Sequence, residues 1–220
     1  MPRNGRGDWR SLSKNNILTV YGLDSESRIA DPEAPGHVFS WLICRSYDDT
    51  GNAIIYDYVA ENGSGVDLAK PNERSRVRSA NRYPKRIRYG NRVPFLLDLE
   101  RTHLEPHDLD AARWMFEVVF DYGEGHYRDE KPDEEGRVLS HASVEAEFDW
   151  PVRRDPFSSY RIRTYRLCRR VLMFHHFPEE LGTKSCLVAP RHFDTAKSRS
   201  APSLSVLCSP TIGSWKMGAI

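Results

Sequence analysis

Two runs rich in aromatic and β-branched residues, Val38 to Tyr47 and Ala53 to Ala60, stand on either side of Asp48-Asp49-Thr50-Gly51-Asn52. That arrangement predicts a β-hairpin. The turn residues allow positive φ at Gly51 or Asn52 and close two extended arms back on each other. Phe39, Trp41, Ile43 and Tyr47 recur at the period of a strand in the first arm, and Ile54, Tyr56 and Tyr58 do so in the second, so each set is expected on one face. The same period runs through Trp114 to Asp121, where Trp114, Phe116, Val118 and Phe120 are expected to line one face, left partly uncovered where neighbouring strands are missing, and Glu117 and Asp121 to point the other way.

The rest of the chain follows the same plan. Tyr83 to Tyr89 reads as a short strand ending at Gly90-Asn91, with Pro84 confining it to an edge or a strand end. Tyr160 to Phe177 alternates arginine with apolar residues and predicts one long strand, with a bulge or bend where the phase breaks at Arg169-Arg170. Leu104 to Arg113 carries helix-start chemistry in Pro106, Asp108 and Asp110. Glu61 to Asn81 and Tyr122 to Trp150 read as polar surface connections. The expected fold class is all-β, built of long antiparallel strands and hairpins joined by charged loops.

Charge and composition narrow the function classes. Lys+Arg number 32 against Asp+Glu 31 in 220 residues, a net charge of +1 that gives no overall pull towards nucleic acid. Mean hydropathy is −0.62 while aromatics reach 11%, the profile of a folded chain with a charged surface. No apolar run approaches the roughly 20 residues that span a bilayer, so no membrane insertion by this segment is expected. Met1 to Asn16 lacks the apolar centre of a signal peptide. The expected location is therefore extracellular by a route without a signal peptide, or the cytoplasm of the producing bacterium. Cys44, Cys168, Cys186 and Cys208 have no C-x-x-C spacing, so no disulfide framework is expected, and Cys44 and Cys168, inside strand-like runs, are expected as buried thiols.

Four blocks in order resemble a known family. Arg28-Ile29-Ala30-Asp31-Pro32 precedes Phe39-Ser40-Trp41-Leu42 and Tyr47 to Asn52. Arg78-Ser79-Ala80-Asn81-Arg82-Tyr83 precedes Lys85 to Arg92. Phe116 to Glu124 is the third block; Arg154 to Tyr160 followed by Arg163 to Phe177 is the fourth. Over about residues 9–188 they resemble the SpvB-like domain of the B component of bacterial insecticidal toxin complexes and of related Salmonella virulence plasmid B-type proteins. The resemblance implies a scaffold: with a β-propeller and Rhs-type repeats, the family domain forms part of a larger β-shell that encloses a toxin and docks on a channel component. It implies those parts as partners, and a virulence or insecticidal setting.

Where the chain departs from the family pattern, further expectations follow. Met1 falls where the family domain is already under way, so the domain is expected to be incomplete. The stretch after Tyr160 is a few residues shorter than the family's, and the resemblance stops after Val188. The expected organisation is a flexible lead-in at 1–15, a partial SpvB-like β domain at 16–188 and an atypical tail at 189–220. The tail is expected to be read out of frame. Trp215 and Met217 have unique codons, and a two-nucleotide shift from Trp215 yields Glu, Asp or Asn, and Gly in succession, similar to an Asp-Gly-x-Tyr segment of the family.

No catalytic, cofactor-binding or metal-binding residue is assigned. Glu145-Ala146-Glu147 has the Glu-x-Glu form of ADP-ribosyltransferases, an activity carried elsewhere in one family member, but no Ser-Thr-Ser precedes it. His175 and His176, with Cys168 and Cys186, are metal-ligand types, yet adjacent strand residues point to opposite faces, one expected packed and one exposed. Arg74 to Arg92 with Tyr83 and Tyr89 has the look of a nucleic-acid track, which the balanced net charge argues against. The expected function is a non-enzymatic structural fragment of a toxin-complex shell. The alternatives are a stand-alone interaction module assembling with toxin subunits and, more distantly, an ADP-ribosyltransferase-type enzyme.

Overall fold

The computed structural model describes residues 7–74, 77–96, 106–131, 140–153, 157–159 and 162–193. The elements in chain order are β1 (Trp9–Leu12), β2 (Leu18–Tyr21), β3 (Arg28–Ala30), β4 (Val38–Trp41), β5 (Ile43–Tyr47), β6 (Ala53–Ala60), β7 (Arg82–Asn91), α1 (Pro106–Ala111), β8 (Trp114–Asp121), β9 (Tyr127–Asp129), β10 (Ser140–Ala142), β11 (Phe157–Ser159), β12 (Ile162–Thr164), β13 (Arg170–His175), α2 (Pro178–Leu181) and β14 (Cys186–His192). Eight strands form one antiparallel sheet in the order β1-β2-β5-β6-β7-β8-β13-β14, and β3–β4, β9–β10 and β11–β12 are separate two-stranded ribbons. The fold is all-β, as expected.

The hairpin turn forms where the sequence puts it. Arg45 pairs with Ile55 and Tyr47 with Ala53, while the Asp48 carboxylate accepts from the Thr50 and Asn52 backbone N–H groups at 3.0 and 2.8 Å. The first arm, however, breaks at Leu42. Its N–H donates to Ser27 O and its carbonyl accepts from Gly22 N, so β4 leaves the main sheet and pairs with β3. Phe39, expected on one face with Ile43 and Tyr47, sits on β4 apart from them and is 74% exposed.

Register sorts the sheet into two faces. Cross-strand pairing places Ile55, Arg88, Glu117, Phe174 and Leu187 on one face, and Ile54, Tyr89, Phe116 and His175 on the other. Along β8 the buried residues are Glu117, Val119 and Asp121, while Phe116, Val118 and Phe120 are half-buried. The alternation of β8 and its partly uncovered apolar face are as expected, and the charged face is the closed one. The covers come from elsewhere in the chain. Leu109 and Ala112, at and just beyond the end of α1, pack with Val20, Tyr47 and Ile55. Tyr127, Ala142 and Val144 pack on Val119, Leu172 and Phe174. The opposite face, with Ile54, Tyr56, Ile87, Tyr89, Phe116, Val118 and Met173, stays half-open.

Three other expectations change. Pro84 lies in a central strand, but it sits beside the register shift at Asp57/Tyr58 and beyond the last β7–β8 pair at Arg86, where no ladder donor is required. The run from Tyr160 to Phe177 is two strands, with Tyr165 to Arg169 between β12 and β13 outside regular structure. The stretch from Tyr122 to Trp150 is not wholly a surface excursion, because Tyr122, Glu124, His126 and Trp150 are buried. Sheet residues also lie outside the 16–188 segment: β1 pairs with β2 from Trp9 to Leu12, and Ala189 to His192 continue β14 against β13. The last part of the tail, 194–220, lies outside the described residues.

Candidate functional site

Titratable side chains converge under the turn that leaves β8. Gly123 and Gly125, at φ of 100° and 89°, let Asp121 to His126 fold back on itself. The Asp121 carboxylate accepts from the Gly123 and Glu124 N–H groups at 2.7 and 3.1 Å and from the Arg170 guanidinium at 2.8 Å. Burial opposes its ionisation, but these donors outweigh burial and hold its pKa below the usual carboxylate value. Beside it, the Lys85 ammonium donates to Glu124 Oε2 at 2.6 Å and meets His126 Nε2 at 2.8 Å. His126 Nδ1 lies 3.0 Å from Ser143 O. Lys85 has no acceptor role and the carbonyl no donor role, so His126 is the neutral Nδ1–H tautomer. Burial, then Lys85, lowers its pKa accordingly.

Two further centres lie along the same seam. Arg166, fully buried, forks onto the equally buried Glu61 carboxylate and donates to Trp150 O at 2.6 Å and Ser64 O at 2.9 Å. Glu73 binds Arg163 at 2.7 Å and accepts from the Tyr165 hydroxyl at 2.6 Å. These groups answer one another, and none lines the cleft of about 650 Å³ formed by Asp24, Arg28, Asp31, Pro32, Ser79 and Arg82. There, Arg28 and Arg82 are spent on the carbonyls of Gly22, Ser25 and Ser79. Cys168 is no ready nucleophile, because burial pushes its thiol up to about 11.

The residues singled out from sequence are dispersed. Glu145 and Glu147 lie on bends rather than a strand. Glu145 is bound by Arg86 at 3.2 Å and Glu147 by Arg128 at 3.4 Å, and neither lines the four main clefts. His175 packs edge-on to Phe116 at 5.0 Å. Its neighbour His176 is half-buried too, so neither histidine is the expected exposed one. His176 Nε2 lies 2.9 Å from Glu117 Oε2 and its Nδ1 3.1 Å from Lys184 O. Both partners are acceptors, so the ring is held as an imidazolium, and Glu117 first of all raises its pKa. Arg86 and Arg88 of the basic stretch are turned onto Glu117 and Asp57 at 3.4 and 2.8 Å. The buried centres Asp121, His126 and Arg166 carry no local motif by which sequence could have found them.

The two histidines set opposite limbs of a pH profile. The folded pKa of His126 lies below its ordinary 6.5, so its stabilising contribution is full above 6.5 and is lost as pH falls through the lowered value. His176 lies above 6.5, so its contribution is full below 6.5 and is lost as pH rises through the raised value. Urea midpoints between about pH 5 and 8 are expected to peak near the ordinary histidine value. His176→Gln should remove the alkaline decline and keep the acid one; a profile that His176→Gln leaves unchanged would refute the imidazolium assignment.

Comparison with known proteins supplies the relatives. The family described as Salmonella virulence plasmid 65kDa B protein matches residues 3–177. The chain is 41% identical over 190 residues to the mono(ADP-ribosyl)transferase SpvB of Salmonella typhimurium strain 14028s and, equally, to that of Salmonella dublin, covering 84% of this chain. It spans 30% of the length of these curated relatives. It superposes on the solved N-terminal domain of effector protein SpvB from Salmonella typhimurium strain LT2 with a TM-score of 0.70 and 39% identity, over 85% of this chain and 55% of that one. A crystal structure of TcdB2-TccC3 matches with a TM-score of 0.68 and 27% identity, over 90% of this chain and 9% of that one. The Photorhabdus luminescens Tc holotoxin pore matches with a TM-score of 0.66 and 27% identity. Toxin-complex chains thus share the fold. The expectation of a non-enzymatic fragment of a toxin-complex shell is corrected, because the curated relatives are named as mono(ADP-ribosyl)transferases. On the family match and the Salmonella identity together, this chain belongs to the Salmonella virulence plasmid 65kDa B protein, or SpvB, family.

Proposed function

We propose that the chain is the amino-terminal type of β module of an SpvB-type ADP-ribosylating virulence protein, docking other parts of that effector or toxin assembly through its half-open sheet face and leaving nucleotide chemistry to a separate catalytic part. The observation that carries the reading is the inverted sheet. Ion pairs and covering loops close the charged face, while Ile54, Tyr56, Tyr89, Phe116, Val118 and Met173 keep contact with solvent. A contiguous apolar sheet face of this kind is what an interaction surface requires. The match to the solved N-terminal domain of SpvB supports the module assignment. Its place of action is outside the producing bacterium, with the cytoplasm as the site of synthesis, and its partners are Rhs-type shell, β-propeller or channel parts.

The test has two arms on the purified chain. Nicotinamide release from NAD is expected at the buffer rate and unchanged by Glu147→Ala. Light scattering after size exclusion is expected to show self-association driven by the open face, relieved by Phe116→Glu with Val118→Lys. Turnover that falls with Glu147→Ala would overturn the reading, as would a monomeric parent chain whose size the double variant leaves unchanged.

A further inference from the structure

At the end of the sheet where β8 begins and β13 leaves towards α2, a pocket of about 200 Å³ is lined by Arg92, Arg113, Trp114, His176, Glu179 and Lys184, with Pro178 at its rim. The cavity is smaller than the roughly 300–1,000 Å³ that encloses a drug-sized molecule, so it suits a small anion or the charged head of a larger one. Three cationic side chains and the His176 ring face one exposed carboxylate, Glu179. Both His176 nitrogens are already used, on Glu117 and on Lys184 O, so the ring lines the pocket without a free donor and with its charge met by Glu117. Arg86, Arg88 and Arg170 on the closed face each meet a carboxylate. Among the described residues, no such ion pair engages Arg92, Arg113 or Lys184.

A second observation comes from the backbone. Arg113 stands at φ 51°, the left-handed region in which a chain leaving a helix normally uses glycine. An L side chain there costs about 1 kcal/mol or more. Glycine would relieve that cost, so the guanidinium at this position calls for a role that glycine could not fill. We propose that this pocket binds a phosphoryl group, gripped by Arg92, Arg113 and Lys184. Guanidinium groups match phosphoryl oxygens in a two-pronged geometry, and the Trp114 ring supplies an apolar wall. The proposal does not rest on the docking role of the sheet face.

Calorimetric titration of the full chain with inorganic phosphate, and in parallel with ADP, tests it at low salt. Arg113→Gly is expected to weaken phosphate binding roughly tenfold or more without lowering the thermal midpoint, a combination that a merely structural arginine would not give. Lys184→Ala should weaken binding likewise, while the remote Lys70→Ala should not. Tighter binding of ADP would assign the phosphoryl group to a nucleotide, and equal binding to free phosphate. The proposal is overturned if the parent chain binds neither probe, if Arg113→Gly retains the affinity, or if Lys70→Ala weakens binding as much as Lys184→Ala.

Discussion

Arg166→Met is expected to cost about 3–5 kcal/mol of folding stability, since removing one partner of a buried ion pair strands the other charge in a medium that cannot solvate it. Arg166 and Glu61 are 2% and 1% exposed. The guanidinium also holds the carbonyls of Trp150 and Ser64 and lies 4.7 Å from the centre of the Trp150 ring. It therefore ties three stretches of chain to one point: the segment just after β6, the segment around Trp150 ahead of β11 and the gap before β13. Against a typical total of about 5–15 kcal/mol, the loss brings a domain close to unfolding. Urea denaturation followed by tryptophan fluorescence reads it directly. Glu61→Leu combined with Arg166→Met should recover part of the loss, because no charge is left buried and only the carbonyl acceptors go unmet. A cost for Arg166→Met below about 1 kcal/mol would match a solvated surface pair and refute the assignment of this contact as the anchor of the loops.

What sequence could and could not reveal divides along the range of the interactions. The β5–β6 turn was legible because its bonds close within five residues, from Asp48 to Thr50 and Asn52. The strand periods of β6 and β8 were legible for the same local reason. Which face is closed was not, because alternation labels two faces without naming the lid. For β8 the lid comes from Tyr127, Ala142 and Val144, and from the cations that meet Glu117 and Asp121. The run from Tyr160 to Phe177 keeps strand alternation across Tyr165 and Arg166, yet Tyr83 Oη takes the Tyr165 N–H and Glu61 takes Arg166 from 105 residues away. No local pattern encodes such a capture. The Glu-x-Glu motif fails in the opposite sense: two residues fit a chemistry, while the bends and arginine partners around them supply none of its setting.

Phe174→Ala and Phe39→Ala separate these two kinds of legibility. By sequence the two rings look alike, each in an aromatic-rich alternating strand. Phe174 is fully buried between Val119, Leu172 and Leu187 on the closed face, and truncating it should cost about 3–5 kcal/mol through lost transfer energy and the cavity left behind. Phe39 is 74% exposed on β4, so its truncation should stay within about 0.5 kcal/mol. Phe116, half-buried on the open face and stacked on Tyr89 at 5.1 Å, should fall between them, because its ring keeps neighbours but lacks a lid. Urea midpoints of the three variants order the faces without further assumption. A Phe39 variant as damaged as the Phe174 variant would return β4 to the core hairpin that its alternation suggests. A Phe116 variant as damaged as the Phe174 variant would mean that the open face is covered, leaving no room there for a partner.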